Sequence, residues 1–144
     1  MSQSGWAGPQ NDAAARGFRY TNPVQTGGHA FSARAVADGK ADIAGIDALT
    51  WLLIKRHDSF ARDLRVIAET KPTPILPYIS ASGRDADMIA RAVEDAVDAL
   101  PAHHRDALAL TGFTRIAAAH YLAVPNPASP DENTAVLKIG RAHV

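Results

Sequence analysis

Cysteine is absent from this chain, which excludes disulfides, thiolate catalysis and cysteine-based zinc sites and fits an oxidising or a reducing compartment equally. Net charge is absent as well, because 15 Lys and Arg balance 15 Asp and Glu, so no overall field draws the chain to nucleic acid or an anionic membrane. Any anion site must therefore be local. No stretch reaches the ~20 apolar residues that a membrane span requires. Met1 to Trp6 show no basic region followed by an apolar run, so no secretory signal is expected in the sequence as it stands.

What is present suffices for a domain. A chain of 144 residues is long enough to bury roughly 68–70% of its unfolded surface. Ser2-Gln3-Ser4-Gly5 predicts a serine-rich turn at a helix amino terminus, and Asp12-Ala13-Ala14-Ala15-Arg16 suits the helix that follows, with Pro9 in or near its first turn. Phe18 to Gln25 reads as a weak strand. Thr26-Gly27-Gly28 is a turn, and His29 to Asp38 a helix with Phe31, Ala35 and Val36 toward a core and Gly39 as its stop.

Asp42-Ile43-Ala44-Gly45-Ile46 is a short apolar run expected of a strand buried on both faces, and Asp47 caps a helix from Ala48 to about Arg56. Leu64 to Ala68 is a further strand candidate, followed by a stiff connector, Lys71 to Pro77, that holds three prolines. From Asp85 to Leu100, the residues Ile89, Val93, Val97 and Leu100 form one helical stripe, opposite Asp87, Arg91, Glu94, Asp95 and Asp98. Pro101 opens another helix to about Leu110, and Arg115 to Leu122 is a third. Short apolar runs alternating with helices predict an α/β architecture with a largely parallel sheet.

In such a fold, polar residues at the carboxyl ends of strands converge on one crevice. Three junctions qualify: Ser2-Gln3-Ser4-Gly5, Gly27-Gly28-His29 with Ser32, and Asp47 before Thr50-Trp51. Ser-x-Ser-Gly opening a helix offers free N–H groups and a partial positive charge to an oxyanion. Each residue also has a plain reading: Ser2, Ser4 and Asp47 as helix caps, His29 as a surface or capping residue, Trp51 as core.

Thr26-Gly27-Gly28-His29-Ala30-Phe31-Ser32, followed by Ala35 to Asp47, resembles one continuous block of the phosphate/phosphite/phosphonate-type periplasmic substrate-binding proteins of ABC transporters. Ser2-Gln3-Ser4-Gly5, Thr50-Trp51-Leu52-Leu53, Pro72-Thr73-Pro74 and Leu110-Thr111-Gly112-Phe113 extend the likeness across about residues 2–122. Gly28 stands where the family pattern has serine, which removes one hydroxyl donor.

The resemblance implies a two-lobed periplasmic-binding-protein-like fold of type II, a small oxyanion ligand, an ABC permease as partner and no cofactor. It also implies a periplasmic or lipid-anchored extracellular location for a full-length member. Residues 1–63 correspond to the second lobe and 64–131 to the crossover strand and carboxy-terminal helices of the first lobe. The chain is accordingly expected to be a truncated member with a half-built site, 132–144 a tail, and 138–144 the translation of a sequencing adapter. Ser2, Ser4, Gly5 and His29 would donate to the ligand, with Asp47 facing it from the opposite side. Gln3, Ser32 and Trp51 are of second rank.

Two other classes are weighed against this binding module. A hydrolase built on Ser4, His29 and Asp47 would need triad geometry, and no Gly-x-Ser-x-Gly elbow is present. An effector domain of the same fold would need an upstream DNA-binding helix pair, which these residues do not supply. His103-His104 with Asp106 is read as a solvated helix face, because adjacent helical residues point in different directions.

Overall fold

The computed structural model describes residues 2–74 and 76–125. The expected tail at 132–144 and the expected adapter-derived segment at 138–144 lie outside the described residues. The chain forms two compact units, one holding residues 2–72 with Pro125, the other Thr73–Val124.

In the first unit, Ser2 caps a wide five-residue turn, Gln3–Ala7, which runs directly into α1, Gly8–Ala15. Pro9 sits in the first turn of α1, where a missing N–H costs nothing. Beyond α1, the chain turns back at Gly17, whose positive φ of 82° favours glycine. The buried Gln10 then holds the returning segment with both ends of its amide: Nε2 donates to the Tyr20 carbonyl at 2.9 Å and Oε1 accepts from the Tyr20 N–H at 3.2 Å.

Helix α2 spans His29–Ala37 and ends as expected at Gly39, where φ is 69° and the Lys40 N–H closes on the Ala35 carbonyl at 2.8 Å. Helix α3 spans Ala48–His57, capped by Asp47, and a 3₁₀ turn follows at Ser59–Asp63. These three elements pack on one another around Ala33, Ile54, Phe60 and Ala61, with Ala37, Ile46, Trp51 and Leu64 at the margin. The Arg34 guanidinium lies 4.1 Å from the Phe60 ring centroid. Phe31 is not in this core: its side of α2 is turned outward, and the face carrying Ala33 and Ala37 is the one covered.

In the second unit, α4 spans Ala86–Asp98 with Asp85 as cap, α5 spans Ala102–Leu108 and α6 spans Ala118–Leu122. The expected stripe on α4 lines an apolar groove with Tyr78, Met88, Ala92, Ala96 and Leu110. Arg115 pairs with Asp87 at 2.8 Å and Tyr78 meets the Phe113 ring at 6.3 Å.

The three strand candidates take a different form. Phe18–Gln25, Asp42–Ile46 and Leu64–Ala68 are neither helical nor paired, and no strand occurs among the described residues. The sheet of the expected α/β architecture is therefore not formed among them. A helix closes its hydrogen bonds within a few residues, whereas a strand exists only against a neighbour of suitable register, and none of these runs has one.

Candidate oxyanion site

The candidate site lies wholly within the first unit and is assembled from three chain segments. The first is the turn at Ser2. Ser2 Oγ accepts from the Gly5 N–H at 3.1 Å, and the Trp6 and Ala7 N–H groups reach the Ser2 carbonyl at 3.1 and 3.2 Å. The expected role of the Gly5 amide as a ligand donor is thus taken by an internal cap. The N–H groups of Gln3 and Ser4 belong to the first turn, ahead of the bonds that Trp6 and Ala7 make to the Ser2 carbonyl.

The second segment is the start of α2. Gly28 is extended, and Thr26 Oγ1 meets Ser32 Oγ at 2.6 Å and donates to the Gly28 carbonyl at 3.1 Å. Ser32 therefore closes the turn that delivers His29 rather than joining the other site hydroxyls. His29 is half-buried and reaches across to both remaining segments: Nε2 lies 3.0 Å from Ser4 Oγ and 3.2 Å from Asp47 Oδ2, while Nδ1 lies 3.2 Å from the Gly45 carbonyl. A carbonyl only accepts, so the ring hydrogen belongs on Nδ1. In the neutral ring Nε2 then accepts the Ser4 hydroxyl proton; in the protonated ring it donates to Asp47.

The third segment is 42–47. Asp47 Oδ1 accepts from the Thr50 N–H at 2.8 Å and Oδ2 from the Thr50 hydroxyl at 2.5 Å. Partial burial of the carboxylate opposes its ionisation. The Thr50 hydroxyl and amide, the facing His29 ring and the Leu49 amide outweigh that and hold its pKa below the ordinary 3.8.

The sign of the linkage follows. A depressed folded-state pKa contributes stability above the unfolded value, and that contribution is lost as pH falls through the lower folded value. Acidification through the ordinary carboxylate range and below it, to the lower limit at which the unit stays folded, should release the cap on α3. The check is the Thr50 amide, whose hydrogen-exchange protection should fall in that window; protection unchanged down to the lower limit would contradict it.

Of the second-rank residues, Gln3 sits in the first turn with its carbonyl accepting from Gly8, and Trp51 packs at the margin of the core with Lys55 Nζ 5.9 Å from its ring centroid. Trp51 Nε1 is buried with no acceptor among the described residues.

One functional residue went unread in the sequence. Gly45 brings its carbonyl to His29 because its α-carbon abuts the first segment: a Cβ there would stand 2.6 Å from Pro9 Cγ, 2.9 Å from the Ser4 carbonyl oxygen and 3.0 Å from that of Gly5. A glycine inside an apolar run was the available signal, because it marks a close backbone approach. Gly5 has a milder version of the same constraint, with His29 Cε1 3.6 Å from where its Cβ would lie.

The geometry also bears on hydrolysis. A relay triad places the acid on one ring nitrogen and the nucleophile on the other. Here Ser4 and Asp47 meet the same nitrogen, Nε2, and a backbone carbonyl holds Nδ1. The arrangement is a cluster of hydrogen-bonding groups around one imidazole. Among the described residues no group of three or more His, Cys, Asp or Glu side chains could hold a metal ion, and no helix is long and apolar enough to cross a membrane.

The family model described as ABC transporter, phosphonate, periplasmic substrate-binding protein matches residues 1–121. No curated protein and no solved structure matches the chain significantly.

Proposed function

This chain belongs to the family of periplasmic substrate-binding proteins of phosphonate ABC transporters, and from that premise we propose that its Ser4–His29–Asp47 junction is an oxyanion-binding site. The ligand class is phosphonate, phosphite or phosphate, held without chemical change and delivered to an ABC permease. The observation that carries this reading is the meeting of three segments, distant in sequence, at one imidazole nitrogen.

The chemistry supports it. A tetrahedral oxyanion needs several donors arranged around it, and short charge-assisted hydrogen bonds give the largest contributions. Ser4 Oγ, the Gln3 and Ser4 amides and a protonated His29 supply such donors, and the partial positive charge of a helix start adds to them. Ser2 stands behind them as the cap that fixes the turn.

In the arrangement of lobes, residues 1–63 would belong to the second lobe and the chain from residue 64 onward to the first. The three unpaired apolar runs would then supply strands to the sheet of an α/β periplasmic-binding-protein fold. The location that goes with this function is the periplasm.

The test is an NMR titration of the 144-residue chain with methylphosphonate, phosphite and phosphate. Shifts concentrated at the His29 ring and the Gln3–Gly5 amides are expected. Ser4→Ala and His29→Ala should each weaken binding by about 1–3 kcal/mol, the loss expected of one charge-assisted hydrogen bond. Affinity unchanged from that of the unsubstituted chain in both variants would overturn the assignment of the site.

A further inference from the structure

We infer that Thr26 is a positioning residue for the oxyanion site: together with Ser32 it fixes the chain that enters α2, so that His29 meets the ligand in one orientation. The inference rests on the binding function proposed above and adds a residue that acts on the ligand only through His29.

His29 is the first residue of α2, and the two residues before it are glycines. Gly27 has a φ of 84° and nothing within 4 Å of where a side chain would begin, while Gly28 is extended and brings no capping group to the helix start. Glycine has more backbone freedom than any other residue, so this entry does not hold itself. Its neighbours must hold it.

Two half-buried hydroxyls do so. Thr26 Oγ1 donates to the Gly28 carbonyl at 3.1 Å, and the Ser32 N–H reaches the same carbonyl at 2.9 Å, which engages both of its lone pairs. A hydroxyl has one hydrogen, and that of Thr26 is committed to Gly28. In the 2.6 Å contact between the two hydroxyls, Ser32 is therefore the donor and Thr26 the acceptor. The bonds close a ring from Ser32 to Thr26 to Gly28 and back to Ser32 through its amide, with no hydroxyl hydrogen left for a ligand.

The Gly28 carbonyl belongs to the peptide plane that leads into His29, so the ring fixes that plane. The imidazole depends on it. Nδ1 lies 3.2 Å from the Gly45 carbonyl and Nε2 lies 3.0 Å from Ser4 Oγ. A displacement of about 1 Å takes such contacts past hydrogen-bonding range. An imidazole held at both nitrogens keeps one tautomer, whereas a loosened one exchanges between two.

The experiment is an NMR titration of the full 144-residue chain with methylphosphonate, comparing the unsubstituted chain with Thr26→Val, which keeps the side-chain shape and loses the hydroxyl. Binding should weaken about threefold to tenfold, the effect of one hydrogen bond, and Thr26→Ser should restore most of it. In a His29→Ala background the same valine should change affinity by less than about twofold, because losses that pass through one group do not add. Without ligand, and with the ring neutral, the His29 nitrogens of Thr26→Val should move from the signature of a hydrogen fixed on Nδ1 toward that of an exchanging imidazole. Lost stability alone does not produce that change. Should Thr26→Val fail to fold, Ser32→Ala removes the other hydroxyl of the ring and is read in its place.

Unchanged affinity in the folded variant overturns the inference alone, as does a loss that persists in full when His29 is already alanine. Failure of the unsubstituted chain to bind methylphosphonate overturns the oxyanion-site reading and this inference with it.

Discussion

Gly45→Val should abolish oxyanion binding and destabilise the unit formed by residues 2–72. The position has no room for a side chain: a Cβ would lie 2.6 Å from Pro9 Cγ and about as close to two carbonyl oxygens, those of Ser4 and Gly5. The proline ring sits in the first turn of α1 and the carbonyls are backbone, so none of the three is the free end of a flexible side chain.

The 42–47 segment must then lift away from the Ser2–Gly5 turn. Overpacking of this kind costs about 1–3 kcal/mol. The functional loss should exceed what that cost implies, because lifting the segment withdraws the Gly45 carbonyl from His29 Nδ1 and carries Asp47 away from Nε2. The measurement is the same methylphosphonate titration beside a thermal melt. A valine variant that binds as the unsubstituted chain does would show that this close approach does not govern the site.

The second large effect is expected of Phe60→Ala. Phe60 is buried in the cluster with Ala33, Ile54 and Ala61 that joins α2, α3 and the 3₁₀ turn, and its ring also carries the Arg34 guanidinium at 4.1 Å. Truncating a buried phenylalanine typically costs about 3–5 kcal/mol through lost transfer energy and the cavity left behind. In this cluster the other buried members are two alanines and one isoleucine, so little else can collapse into the gap.

Because α2 carries His29 and α3 is capped by Asp47, the loss should scatter the site as well as lower the melting temperature. Denaturant unfolding followed by near-ultraviolet circular dichroism would check it. A cost below about 1 kcal/mol would mean that the cluster is not the structural centre of this unit.

Much of the local structure was legible from residue types. Asp47 was placed at a helix start by its capping chemistry, and its side chain accepts from the amide three residues on. Gly39 was placed at a helix end, and it carries the positive φ that such an end requires. The apolar stripe of α4 lines a single groove because its spacing matches the helical period. In the site, the Ser-x-Ser-Gly, Gly-His and Asp47 elements were recognisable as a family block, and the family is the one whose model spans residues 1–121.

Several features could not be read that way. Periodicity turned Phe31 of α2 toward the core, whereas the packing of α3 and the 3₁₀ turn places Ala33 inside and Phe31 outside. The apolar runs at 18–25, 42–46 and 64–68 have strand composition but no partner among the described residues, so composition alone could not make them strands.

The sequence by itself determined the family, several helix caps and stops, and the residue types of the candidate site. These depend on caps, periods and motifs that act over a few residues or are matched in order along the chain. Only the tertiary structure decided that Ser4 and Asp47 share one nitrogen of His29, that Gly5 caps inward, and that Gly45 must lack a side chain. Each of those is a distance between atoms that chain folding alone brings together, and no short-range pattern encodes it.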